Sequence, residues 1–294
     1  MTLKGDGKEQ AQYSHFEAVN CIICNKDNSE FLFERDGFKI VKCKSCGLIY
    51  VNPRLSIKKL NEMYNKNEIS PKDYYLENKE SEGKILERRI NFIKKYKSRG
   101  NLLDVGCSIG TFLAIAKKHG FDTYGIDINK SAVEYAKNLG LNAEVKDLSS
   151  FKDETFEVII LNDVLEHVEN PIKMLKDIKR IMKEDGILEI STPNVDSILA
   201  KISGRRWLHI KPNEHLYYFS PETLTKILEL SGFKLIGHRY FNRVREINVI
   251  LRKLETYSKF FPKLIKVVPG FIRKIKLPIY TFDEIEVIAK IKGN

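Results

Sequence analysis

From Asn101 onward, short apolar runs alternate with longer stretches whose apolar residues recur at helical spacing. The runs predict strands over 102–105, 122–126, 142–146, 156–161 and 187–191, each followed by a helix. Crossover helices of that kind require parallel strands, so this part of the chain reads as an α/β sheet. Ser220-Pro221-Glu222 opens a further helix that Gly232 closes, with a sixth strand from Phe233 and a last strand over 284–292. Ahead of the sheet, Ser56 starts a helix carrying Leu60, Met63 and Tyr64 on one face. A second follows with Ile85, Leu86, Ile90, Ile93 and Tyr96. Two short apolar runs, 31–33 and 48–51, are all the strand signal found before that.

The first strand runs into a turn, Asp104-Val105-Gly106-Cys107-Ser108-Ile109-Gly110, and the second ends in Tyr124-Gly125-Ile126-Asp127. Strand, glycine turn, helix, strand and terminal acid form an adenosine-binding arrangement. Ser108 stands where a dinucleotide turn has its second glycine, and Asp104 would repel a phosphate. S-adenosylmethionine has no phosphate and carries two cationic centres, so an acid there favours it over NAD. Cys107, inside the turn, reads as a buried packing residue.

These motifs resemble the class I S-adenosylmethionine-dependent methyltransferases. The resemblance implies a Rossmann-like, mostly parallel sheet with an antiparallel last strand, and it puts S-adenosylmethionine on Asp104, Gly106, Ser108 and Gly110. It also implies that Asp127 holds the ribose hydroxyls, that Asp147 lies near the adenine, and that Asn162 ends the fourth strand beside the cofactor.

Two cysteine pairs, Cys21-x-x-Cys24 and Cys43-x-x-Cys46, have the spacing of two knuckles that complete one tetrahedral zinc site. Four thiolates leave no open position, so such a zinc is structural. The organisation expected is a polar N-terminus over 1–18, a zinc-ribbon segment over 19–54, a helical connector over 55–98 and a methyltransferase domain over 99–294 with a basic insertion about 242–280.

Methyl transfer needs an acceptor held in line with the methyl and a group to receive the acceptor's proton. The loops after strands four and five carry two Glu-His pairs, Glu166-His167 and Glu214-His215. The tract 212–233 resembles methyltransferases of sugar and polysaccharide biosynthesis, in which a zinc-binding segment precedes the catalytic domain. That resemblance points to His215, supported by Glu214, as acceptor base, with His167 as the alternative and Tyr217 or Tyr218 orienting a hydroxyl. His119, at a predicted helix end, reads as a capping residue.

The 294 residues carry a net charge of +11, all of it in the last third: residues 201–294 hold 19 Lys+Arg against 8 Asp+Glu. A surplus so placed suits a small or lipid-linked anionic acceptor, and Leu251, Leu254, Phe261, Ile265 and Val268, interleaved with bases, read as an amphipathic lid packed on the domain, with contact with an anionic membrane as the alternative. No apolar run has the ~18 residues that span a bilayer, and the N-terminal stretch lacks a signal-peptide core. The expected location is the cytoplasm, with peripheral membrane contact as an option. Nucleic acid is a weaker partner, because the ribbon segment has no large basic surplus and no Asn-Pro-Pro-Tyr-type motif follows strand four. An RNA methyltransferase, or a non-catalytic zinc-binding protein on this scaffold, is the alternative reading.

Overall fold

The computed structural model describes residues 15–66, 72–240, 243–246, 269–273, 276–279 and 282–293. The chain begins with short strands β1 (Phe16–Glu17), β2 (Ser29–Arg35), β3 (Phe38–Cys43), β4 (Ile49–Val51) and β5 (Arg54–Leu55), then helices α1 (Ile57–Asn65) and α2 (Lys72–Ile93). The alternating part follows: β6 (Gly100–Val105), α3 (Thr111–Lys118), β7 (Phe121–Ile126), α4 (Lys130–Asn138), β8 (Ala143–Glu144), β9 (Phe156–Asn162), α5 (Pro171–Ile181) and β10 (Met182–Pro193). After it come α6 (Ile198–Ser203), β11 (Tyr217–Tyr218), α7 (Pro221–Leu230), β12 (Phe233–Tyr240), β13 (Arg243–Glu246), β14 (Lys276–Ile279) and β15 (Glu284–Ile291).

Seven strands form the central sheet in the order β12-β15-β10-β9-β6-β7-β8. β15 runs antiparallel to both neighbours and the pairs from β10 to β8 are parallel, the arrangement expected from the sequence. Leu102, Val158, Ile160, Ile187 and Ile288 bury one face under Ile90 and Ile93 of α2, while Leu103, Ile159, Leu161, Leu188 and Ile190 bury the other. Ser220 caps α7 in a reciprocal box with Thr223, as its sequence position predicts. His119 ends α3 and its Nε2 lies 2.8 Å from Glu87.

Two expectations shift. The third strand shrinks from 142–146 to Ala143–Glu144, because it is the sheet edge and Asp147 leaves it to cap a short helical turn through the Ser149 amide. The zinc-ribbon segment is also not a separate appendage. β11 adds to β4, with Tyr217 opposite Tyr50 and Tyr218 opposite Ile49, so a four-stranded sheet β11-β4-β3-β2 spans ribbon and catalytic part. Cys21, Cys43, Leu48 and Tyr50 share one core with Leu161, Leu216 and Phe219. The amphipathic basic stretch with Leu251, Leu254, Phe261, Ile265 and Val268 lies outside the described residues. Among those described, no helix is long and apolar enough to cross a membrane.

Candidate active site and cysteine cluster

The turn after β6 is shaped by close approaches. A Cβ on Gly106 (φ 79°) would lie 2.5 Å from Val164 Cγ2, and one on Gly110 (φ 77°) would lie 2.6 Å from Leu141 Cδ1. Ser108, between them, adopts φ 47°, a conformation that costs an L-residue roughly 1–2 kcal/mol. In that conformation its amide donates to Asp127 Oδ2 at 2.8 Å, while the Asn129 amide donates to Oδ1 at 2.7 Å. The Ile128 amide adds to them, and the lone pairs that remain are what two ribose hydroxyls require. Burial nevertheless raises the Asp127 carboxyl above its usual range, against the pull of those amides. Asp147 is exposed at the end of β8, and Asn162 ends β9, its Oδ1 accepting from Ser191 Oγ at 3.4 Å.

Asp104 is 2% exposed and its Oδ1 has no hydrogen-bond partner. Burial pushes its carboxyl up to about 8, opposed by Arg89 and reinforced by Asp127. Arg89 belongs to a buried charged layer that the apolar pattern conceals. Its Nε lies 3.7 Å from Glu189 Oε1, and Arg239 Nη2 lies 2.6 Å from Glu286 Oε2 on the neighbouring strands. Glu189 and Glu286 are fully buried single acids inside hydrophobic strands, 188–190 and 285–287, and that interruption was the available signal. A cationic ligand with an adenosine moiety fits this turn, where a left-handed glycine backbone meets a prepared carboxylate on Asp127 and the buried acid Asp104.

The loop after β9 starts at Asp163, whose φ of 52° turns the chain so that Val164 covers Gly106. Glu166 and His167 follow in the same loop. The Glu166 carbonyl accepts the amides of Leu216 (2.8 Å) and Tyr217 (3.3 Å), which brings His215 alongside. The His167 and His215 rings meet edge to face at 4.6 Å, and ligand atoms of Glu166, His167 and His215 all lie within 4.8 Å of one another. Burial lowers His167 to about 4 and His215 well below its ordinary range, so both rings are neutral at physiological pH. Burial raises Glu166, and the nearby Asp163 adds to the effect.

The carboxylate beside His215 is thus Glu166 and not its sequence neighbour Glu214, which lies 3.7 Å from Lys211. Glu214 and His215 close a turn, both amides donating to the Lys211 carbonyl (2.9 and 2.7 Å), and the loop from Asp163 rather than the turn itself supplies the carboxylate, so adjacency was a poor guide. Tyr217 is also engaged elsewhere, its hydroxyl donating to the Glu169 carbonyl (2.8 Å) and accepting from Arg54 (2.9 Å). Tyr218 is buried beside Trp207. Asp283 ties the loop before His215 to β15: it accepts from Trp207 Nε1 at 2.7 Å and from Ser197 Oγ at 3.2 Å, and lies 3.3 Å from His209 Nε2. His209 and Asp283 carried no sequence motif.

Cys21, Cys24, Cys43 and Cys46 converge with all four sulfurs within 4.8 Å. The Cys21–Cys46 and Cys24–Cys43 sulfurs are 3.3 and 3.4 Å apart, far beyond the ~2.05 Å of a disulfide and close to the edges of a tetrahedron with ~2.3 Å metal–sulfur bonds. Burial raises Cys43, but the Cys46 and Ser45 amides outweigh it and bring the thiol to about 7. The Cys24 and Ile23 amides serve Cys21 in the same way, although burial keeps that thiol raised.

Residues 77–238 match a family model described as a methyltransferase domain. The chain belongs to this methyltransferase family. As a methyltransferase with this turn it takes S-adenosylmethionine as cofactor. It is 32% identical over 155 residues to an uncharacterized protein of Methanocaldococcus jannaschii, covering 52% of this chain and 73% of that one. It is 29% identical over 167 residues to a ubiquinone biosynthesis O-methyltransferase of Coxiella burnetii, covering 52% and 69%. A crystal structure of an S-adenosylmethionine-dependent methyltransferase from Archaeoglobus fulgidus superposes with a TM-score of 0.53 at 24% identity, covering 74% of this chain and 99% of that one.

Proposed function

We propose that this methyltransferase alkylates a hydroxyl on a small anionic acceptor, a sugar in glycan biosynthesis, held against the Glu166, His167 and His215 cluster. The observation carrying this reading is the shared wall of the two sites: Val164 touches Gly106 of the cofactor turn, and Glu166 and His167 follow in the same loop. When bound, S-adenosylmethionine supplies a methyl group on a sulfonium, the leaving group of an in-line displacement. Asp127 holds the adenosine end, Asp104 faces the cationic end, and the buried imidazoles orient the acceptor oxygen. The O-methyltransferase named among the relatives supports oxygen as the acceptor atom, and the basic last third supports an anionic or lipid-linked carrier that approaches it. The cysteine cluster holds one structural zinc, since four thiolates close its coordination.

Incubating a cell extract with methyl-tritiated donor and the protein, then fractionating by RNase, organic extraction and glycan hydrolysis, tests the acceptor class. Label should appear in the glycan hydrolysate, with or without prior solubility in organic solvent. Label released by RNase overturns the sugar reading.

A further inference from the structure

Glu166, His167 and His215 are arranged as a ligand set. Glu166 is 1% exposed, yet neither carboxylate oxygen accepts a well-formed hydrogen bond, and the neighbouring Thr192 hydroxyl is a neutral donor that offsets only part of its burial. Buried carboxylates are ordinarily paired with a donor, a cation or a metal. His215 Nδ1 is likewise buried without a partner, while the ring's other nitrogen donates to the His209 carbonyl. That bond fixes the tautomer in which Nδ1 carries a lone pair. His167 lies against the Glu214 backbone, whose hydrogen bond opposes the effect of burial on the ring.

One candidate ligand atom from each of the three side chains lies within 4.8 Å of the others, and neither a Glu166 oxygen nor His215 Nδ1 has a hydrogen-bond partner. A cation with ~2.1 Å bonds needs ligand atoms about 3 to 3.5 Å apart, which this cluster can supply within its 4.8 Å limit. The surroundings add charge of the right sign. Asp163 faces Glu166 and His167, Asp283 pairs with His209, and Lys211 is the base opposing them. The His209 and Glu214 carbonyls serve as the outer partners that orient metal-bound imidazoles elsewhere.

We infer that Glu166, His167 and His215 bind one divalent first-row cation, separate from the cysteine cluster, in a three-ligand site whose open positions take the acceptor hydroxyl. Two imidazoles and one carboxylate select Mn²⁺, Fe²⁺, Co²⁺ or Zn²⁺ over Mg²⁺ and Ca²⁺, which prefer all-oxygen shells. The last clause rests on the proposed function. There the cation makes the hydroxyl more acidic. The O–H bond breaks with its proton passing to solvent, the oxygen forms a bond to the methyl carbon, and the carbon–sulfur bond breaks with its electron pair remaining on sulfur.

Cobalt titration of full-length protein whose cysteine cluster already holds zinc separates the two sites, because only a thiolate site gives sulfur-to-cobalt charge transfer. The expected result is one additional Co²⁺ per chain with weak d–d bands and no charge-transfer band. Glu166→Gln should weaken that binding at least tenfold and leave zinc content and donor affinity unchanged, donor binding serving as the check on folding. His167→Asn provides a second variant should Glu166→Gln fail to fold. Absence of an additional Co²⁺, or equal binding in the variants, overturns the inference. Because the titration uses neither donor nor acceptor, a cation that binds as expected while no glycan is labelled would overturn only the functional reading.

Discussion

The molecule contains two convergent clusters built in opposite ways. The four cysteines come from two knuckles within 26 residues of chain, and each knuckle is a self-contained turn that supplies its own amides to the sulfurs. Glu166, His167 and His215 come from two separate loops, and only the sheet and the amides of Leu216 and Tyr217 bring them together. The first gathers four thiols, the set that would close a structural metal's coordination. The second is buried at a loop that also covers the cofactor turn through Val164. They are also in series: β4 leaves the cysteine cluster, β11 leaves His215, and the two strands pair. The local cluster thereby braces the non-local one.

The largest expected effect breaks the Glu166, His167 and His215 cluster. His215→Ala should lower turnover ~10²-fold or more while leaving donor affinity within about twofold, as calorimetry and labelled-methyl assays would read. If donor affinity falls equally, the cluster and the cofactor turn are not separate. Asp127→Ala is the converse. Removing a carboxylate that accepts two hydroxyls should cost roughly 1.5 to 3 kcal/mol of donor binding, about one to two decades, with any acceptor saturation unchanged.

A third variant tests whether the two clusters are in series. Cys43→Ser should release the metal and loosen β4, and the loss should pass through the Tyr217–Tyr50 and Tyr218–Ile49 pairs to the His215 loop. Turnover should fall about tenfold with donor affinity kept, and amide exchange should quicken at Tyr217 and Tyr218. Metal loss with full turnover would show that the ribbon is an independent appendage.

How far each region could be read from sequence follows from the same contrast. The cysteine pairs were legible because metal spacing is local, and the strand order from β6 to β10 because apolar runs alternate with helical stretches. Gly106, Ser108, Gly110 and Asp127 were legible as a turn, although what their backbone does there, namely Ser108 orienting Asp127, needed coordinates. The partner of His215 was not legible, because Glu214 is its neighbour in sequence and Glu166 its neighbour in space. Glu189 and Glu286 were missed because each is a single acid in a short apolar run, and Arg89 and Arg239 because the acids they meet lie far off in sequence. The continuity of ribbon and catalytic part depended on the two-residue strand β11, too short to leave a pattern.

The smallest expected effect compares two unpaired buried acids. Glu166 has no cation beside it among the hydrogen-bond partners described, whereas Asp104 has Arg89 nearby and a cationic donor to come. Burial lifts Asp104 from 3.8 to about 8, so the folded protein holds this proton to higher pH than the unfolded chain does. Its contribution to stability is complete below the unfolded value and is lost as pH rises through about 8. Asp104→Asn keeps the shape and removes the titration, so its stability relative to the wild type should rise between pH 5.5 and 8, with the slopes of Glu166, Glu189 and Glu286 cancelling in the difference. Donor binding shows the other half of the linkage. A cationic ligand favours the carboxylate, so below the raised pKa it must displace a proton, and wild-type affinity should climb between pH 5.5 and 7.5 by at most tenfold per unit. The variant should bind more weakly and with a flatter profile. Identical profiles would mean that Asp104 does not face the donor's charge and that only the glycines and Asp127 hold it.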